Sequence, residues 1–172
     1  MGSPAPASVL AQRIIVGVGD LAVSNQAAAT LCTYALGSCV AVTAYDPALK
    51  VGGILHLMLP ESKIAVAKAA LQPAMFADTG LPFFFRQLTI FRADSGRLRI
   101  HLAGGASVIG GSDPFRIGER NVQATLETLA RMGIPVNHAD LRGTVNRTVQ
   151  LELATGRLTL KTPSGQSEFS LA

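Results

Sequence analysis

The chain has no tryptophan, only seven Phe and two Tyr in 172 residues, and just two cysteines. With so few large aromatics, its core has to rest on Val, Leu, Ile and Ala. Charge is scarce too: 15% of residues are charged against 48% hydrophobic, which excludes a disordered polyelectrolyte and points to a globular chain. Fifteen basic and eleven acidic residues leave a net charge of +4. That excess suits ordinary solubility, and no dense basic block with interleaved aromatics supports nucleic-acid binding. Cys32 and Cys39 are too few for a disulfide framework, and their spacing is not that of a metal site. Nothing before them resembles a secretory signal, so a reducing cytoplasm is the expected home.

Other chemistries are missing as well. Gly104-Gly105-Ala106-Ser107 with Gly110-Gly111 fits neither phosphate-cradling pattern and reads as a tight loop. There is no serine nucleophile elbow and no carboxylate pair at glycosidase spacing. The uncharged run Leu21–Tyr45 is long enough to cross a bilayer, yet Ser24, Asn25, Gln26, Thr30, Thr33 and Ser38 interrupt it. Buried strands explain it better, and no membrane insertion is expected.

What is present is a strand-rich first third. Arg13–Val18, Ala28–Thr33, Cys39–Tyr45 and Val51–Met58 read as strands, broken by Gly37-Ser38 and by Asp46-Pro47. Glu61–Met75 reads as a loop with a short helix. Asp78-Thr79 offers N-caps for a helix to about Arg92, with Pro82 in its first turn. A second helix is predicted over Gly118–Met132, stopped by Gly133. Arg97–Ala103 reads as a strand, and Val149–Leu153 with Leu158–Thr162 as a late hairpin. The sum is a single α+β domain over residues 13–162, between a flexible segment at 1–12 and a tail at 163–172.

Within this frame one pair of residues can carry chemistry. Cys39 leaves a small-residue turn and enters an apolar strand, and His56 ends the next strand. If Asp46-Pro47-Ala48-Leu49-Lys50 is a hairpin loop, Cys39 lies seven residues before Asp46 and His56 six after Lys50. The two then stand nearly opposite, about 4.5–5.5 Å apart at Cβ. A thiol and an imidazole so placed are the minimum for covalent acyl transfer, His56 acting as general base and then general acid. Gly37 and Ser38 let backbone N–H groups approach a substrate oxyanion. The group that orients the imidazole stays open between Thr33 and Asp46, the latter at the far end of the hairpin. Cys32, His101 and His138 read as structural.

These residues resemble the chemoreceptor glutamine deamidases called CheD. The likeness lies in Leu36-Gly37-Ser38-Cys39-Val40-Ala41-Val42, Tyr45-Asp46-Pro47, Gly52-Gly53 and His56-Leu57-Met58-Leu59-Pro60. It continues through Ala77-Asp78-Thr79, Leu81-Pro82, Gly104-Gly105-Ala106-Ser107, Ile117-Gly118-Glu119-Arg120-Asn121, Gly133-Ile134-Pro135, Arg147-Thr148-Val149 and Thr155-Gly156-Arg157. The resemblance implies a layered α/β/β sandwich of mostly antiparallel strands with two main helices, and no metal or organic cofactor. It implies a catalytic set of Cys39, His56 and Thr33, which selects Thr33 over Asp46. Gly104 and Gly105 join Gly37 and Ser38 as candidates for the oxyanion and substrate loop. The implied reaction converts receptor glutamines to glutamate through a cysteine thioester, with chemoreceptor cytoplasmic helices as partners. Two rival readings use the same residues: a module that binds receptors or a CheC-type phosphatase, and a methylesterase acting on receptor glutamyl esters. Ala103 and Val108-Ile109 depart from the family at the loop associated with CheC, which counts against that partner and not against catalysis.

Overall fold

In the computed structural model, which describes residues 12–108 and 114–172, two strands are buried along their whole length: β4 (Val40–Asp46) and β5 (Val51–Leu57). Covered on both faces, they read as continuous apolar runs, which is why the Leu21–Tyr45 stretch imitates a membrane span. No helix among the described residues is long and apolar enough to cross a membrane.

Those two strands form the middle of a central sheet ordered β2 (Asp20–Ser24), β5, β4, β6 (Arg99–Gly104), β7 (His138–Leu141). A second, outer sheet runs β1 (Gln12–Ile15), β3 (Ala29–Leu36), β8 (Arg147–Glu152), β9 (Arg157–Thr162), β10 (Gly165–Ser170). Pairing is antiparallel except for β1–β3 and β6–β7. Alternation assigns the faces. Val40, Val42, Leu55, Leu57, Ile100 and Leu102 point to the helices α2 (Ala77–Ile90) and α3 (Ile117–Arg131). Ala41, Tyr45, Ile54 and Ala103 point to the outer sheet. The layers are therefore helix, sheet, sheet, as the resemblance implied.

The late hairpin, the strands around Cys39 and His56, and the Asp46–Lys50 loop all fall where the sequence put them. Asp46 Oδ1 accepts from Ala48 N at 3.0 Å, and Arg97 grips the same buried carboxylate through Nη2 at 2.7 Å, holding it down to about pKa 2. Glu61–Met75 holds a short helix α1 (Val66–Leu71) between two 3-10 turns. Other details differ. Asp78 does not cap its own helix: its carboxylate binds Ser62 N at 2.8 Å and Ser62 Oγ at 2.7 Å, and Phe76 occupies the cap. Pro82 sits in the second turn of α2, not the first. Residues 163–172, read as a tail, contain β10, which pairs with β9 and leaves Leu171 buried. Residues 1–11 of the flexible start, and Ile109, Gly110 and Gly111 of the Gly-rich stretch, lie outside the described residues.

Two histidines face the space between the sheets, His56 on β5 and His101 on β6, each about 1% exposed. Burial disfavours the charged imidazolium and holds both near pKa 4, with His138 adding to the effect on His101 and Asp140 opposing it. His101 stacks against Phe169 of β10 at 5.0 Å. In the unfolded chain both rings would titrate near 6.5. Between pH 6.5 and 4 the unfolded state therefore binds more protons, so folding stability falls as pH falls through that window. Urea unfolding should show a loss on the order of 3 kcal/mol per histidine at pH 4 relative to pH 7. His101→Phe, which keeps the ring stacking, should remove about half of that slope.

Candidate active site

The outer-sheet strand β3 cannot run straight past Thr33. Ala35 takes a left-handed φ of 56°, and the β3–β8 register slips between Thr33 and Leu36. This bulge ends the strand and sends the chain through Gly37-Ser38-Cys39 into the central sheet as β4. The nucleophile candidate thus sits on the crossing between sheets, half-buried at the entrance of β4.

The carbonyls of that crossing are all tied down. Gly37 O accepts from Ala106 N at 2.8 Å, Ser38 O from Asn121 Nδ2 at 2.9 Å, and Cys39 O from Gly105 N at 2.8 Å. Gly104, at φ 112°, lies so close that a Cβ there would collide with Cys39 O. Gly105, at φ 66°, would collide with Val122. These two glycines therefore cradle the back of the turn, and the Gly105 N–H is already spent on it. Gly37 N–H is likewise spent on Ala35 O at 2.9 Å. Two of the four oxyanion candidates thus have engaged amides, whereas neither Ser38 N–H nor Cys39 N–H has a backbone acceptor among the described residues.

His56 reaches the same face from β5. The ladder pairs Ala41 with His56 and Val40 with Leu57. The ladder closes with Asp46 opposite Val51, so the position opposite Cys39 would be Met58, and His56 stands one diagonal step away on the same face, near the opposition that the residue count predicts. The small side chain of Ala41 leaves room for the imidazole between them. No hydrogen bond joins Cys39 to His56, whose Nε2 is buried without a partner among the described residues.

The other ring nitrogen is fully engaged. Thr33 Oγ1 lies 2.7 Å from His56 Nδ1 and 2.8 Å from Val16 O, with all three groups in the dry space between sheets. A carbonyl can only accept, so the Thr33 hydroxyl donates to Val16 O and accepts from His56 Nδ1–H. That fixes the tautomer. Nε2 carries the lone pair, on the face Cys39 shares, as a general base requires. Residue spacing left Thr33 and Asp46 both open, the resemblance selected Thr33, and nothing in the sequence marked Val16, whose contribution is a backbone carbonyl. Asp46 lies at the other end of β4, as the hairpin count indicated.

Burial sets the protonation of the pair. It lowers His56 to about 4, so the ring is neutral at physiological pH. It also pushes the Cys39 thiol above its usual 9.0, with only the residue's own backbone N–H acting the other way. Reactive cysteines commonly carry a lowered thiol pKa, and Cys39 at rest does not. The site holds a neutral thiol and a neutral imidazole.

Beside Cys39 lies a groove of about 320 Å³, lined mainly by Met58, Leu59, Val108, Phe115 and Ile117, with Ser38 at its edge. A larger depression of about 520 Å³ adjoins it across Ser107 and carries Arg116 and Arg142. The smaller one touches the nucleophile turn, and its apolar lining suits a side chain inserted from a partner. Among the described residues, no three His, Cys, Asp or Glu side chains gather closely enough to hold a metal ion.

The tautomer is directly measurable. ¹⁵N NMR of the wild type at neutral pH should show His56 protonated at Nδ1 and bare at Nε2. Thr33→Val should abolish that preference and cost about 1–3 kcal/mol of stability, because Val16 O and Nδ1 both lose a buried partner. Thr33→Ser should keep both.

Similarity to known proteins shows the family. The family described as CheD chemotactic sensory transduction matches residues 58–162. A protein of Syntrophus aciditrophicus named probable chemoreceptor glutamine deamidase CheD 1 is 42% identical over 152 residues, covering 88% of this chain and 95% of its own. One from Solibacter usitatus, named probable chemoreceptor glutamine deamidase CheD, is 43% identical over 92% of this chain and 94% of its own. A namesake in Pyrococcus abyssi is 38% identical over 88% and 93%. With the matched family spanning more than half of its length and relatives near 40% identity along most of it, this chain belongs to the CheD family.

Proposed function

We propose that the protein deamidates glutamine side chains on the cytoplasmic helices of chemoreceptors, with Cys39 as nucleophile, His56 as base and Thr33 as the residue that orients His56. The observation that carries this reading is the Val16–Thr33–His56 relay, which leaves Nε2 bare on the face Cys39 shares. The names of the relatives supply the substrate class.

In this mechanism the apolar groove takes the flank of a receptor helix and directs a glutamine carboxamide to Cys39. His56 Nε2 removes the thiol proton as Sγ attacks the carboxamide carbon. Charge develops on the carbonyl oxygen, where the N–H groups of Ser38 and Cys39 receive it. The new imidazolium passes its proton to the amide nitrogen, the C–N bond breaks, and ammonia leaves a glutamyl thioester. His56 then takes a proton from water, the hydroxide adds to the thioester, and collapse returns the thiol and a glutamate. Each turnover replaces a neutral amide by a carboxylate on the receptor surface.

Both cysteines are free thiols, which fits a reducing cytoplasm. Ala103 and Val108 depart from the family pattern in the loop associated with a CheC-type phosphatase, which counts against that partner here. The raised Cys39 pKa is the observation that favours the non-catalytic binding module. A general base that acts only as the bond forms removes the conflict, since no thiolate has to exist beforehand.

Ammonia release and mass spectrometry on a receptor fragment should show glutamine converted to glutamate by the wild type. Cys39→Ala should abolish it with the fold intact; full activity in that variant would end the proposal. Because His56 must be neutral, kcat/KM should stay level from neutral pH down to about 5 and fall about tenfold per pH unit below about 4. Glutamyl methyl ester and glutamine forms of one peptide separate esterase from deamidase activity.

A further inference from the structure

Asn121 stands in the fifth position of α3, fully buried, where asparagine is a poor helix former and a buried carboxamide is costly. Its Nδ2 donates to two carbonyls, Ser38 O at 2.9 Å and Met58 O at 2.9 Å. The first belongs to the residue before Cys39, the second to the residue two after His56. Both lie just outside the β4–β5 ladder, which stops at Val40 and Leu57. Where the sheet's own hydrogen bonds end, one side chain spans the gap. The orientation of the amide is forced, because both partners are acceptors. Its Oδ1 is buried with no partner among the described residues, a cost that a purely packing role would avoid by using leucine.

The helix is held in register for this task. Gly118 sits so close to the Gly104–Ala106 loop that a Cβ would lie 2.7 Å from both Gly105 O and Ala106 O. Gly105 N and Ala106 N in turn hold Cys39 O and Gly37 O. Thr125 Oγ1 donates to Asn121 O at 2.7 Å and adds a further tie one turn on. Helix, glycine loop and nucleophile turn thus form one hydrogen-bonded block, and beyond the end of the β4–β5 ladder Asn121 ties it to the end of the His56 strand.

We infer that Asn121 is a positioning residue, whose two-carbonyl clamp sets the offset between Cys39 and His56. It touches neither substrate nor reacting atoms, and the inference rests on the deamidase reading. Displacing a catalytic pair by an ångström costs about 10²-fold in rate. Asn121→Leu keeps the volume and removes both donors. It should lower kcat about 10²-fold with KM within about twofold. It should also slow iodoacetamide alkylation of Cys39 at pH 7 on the order of tenfold, because the thiol loses its base.

The decisive comparison is with His56→Ala. If Asn121 acts through His56, adding Asn121→Leu to His56→Ala should slow alkylation no further; a merely structural role would slow it in both backgrounds. Should Asn121→Leu fail to fold, Asn121→Ser keeps one donor and should give an intermediate loss in the same two assays. A folded variant with kcat within about threefold of wild type, or equal slowing in both backgrounds, overturns the inference. If the wild type releases no ammonia, the deamidase reading fails by itself, and the alkylation comparison still decides the role of Asn121.

Discussion

The hydrogen bond from His56 Nδ1 to Thr33 Oγ1 crosses from one sheet to the other, and much of the structure serves to keep that crossing at 2.7 Å. Packed sheets stand about 10 Å apart, and a side chain from each must meet midway without water. On the β4 side the ladder places only Ala41 opposite His56, which leaves the ring space there, and on the other side β2 places Asp20 opposite it. At the far end of the same two strands, Tyr45 Oη donates to Leu153 O at 2.8 Å, and Gly52 admits Leu151 and Leu153 so closely that any Cβ would strike them. One polar contact at each end pins the outer sheet against the central one. The imidazole is thereby aimed by the fold as a whole and not by a neighbour in sequence.

A second consequence concerns the nucleophile turn. Three successive carbonyls, from Gly37, Ser38 and Cys39, each find a donor on the helix and glycine-loop side. A peptide plane points its N–H away from its C=O, so fixing the carbonyls of Gly37 and Ser38 also fixes the amides of Ser38 and Cys39 on the other side. In the proposed mechanism the place that receives negative charge is therefore chosen by bonds that never touch the substrate. This also explains the glycines: Gly104 and Gly105 are required for close approach of backbone to backbone, a need that glycine alone meets.

The sequence made the β4–β5 hairpin legible because its signals are local: Asp46-Pro47 marks the turn, and two apolar runs flank it. The helix α3 was legible through its spacing and Gly133, whose φ of 68° ends it. The short strands β2 and β7 were missed, since each lies at a sheet edge and has little apolar pattern of its own. β10 is mostly exposed and polar, and only its pairing with β9 makes it a strand. In the site, Cys39 and His56 could be found by spacing. Thr33 could not be chosen over Asp46 that way, because its partnership with His56 joins different sheets and depends on a bulge at Ala35. Asn121 carried only one local sign, a polar residue beside Val122 on the helix face that buries.

Burial decides how the pair works. It lowers His56 to about 4 and raises the Cys39 thiol above its usual 9.0, so both shifts oppose moving the thiol proton to the ring at rest, and the neutral pair is the resting form. In the proposed mechanism, a carbonyl over Sγ lets the negative charge move off sulfur onto an oxygen facing the Ser38 and Cys39 amides, which ties proton transfer to substrate engagement. A half-buried thiol kept neutral until then is protected from stray electrophiles, since the thiolate is the reactive form. The selectivity of such an enzyme then rests on what the apolar groove brings to Cys39, more than on any standing reactivity of the thiol.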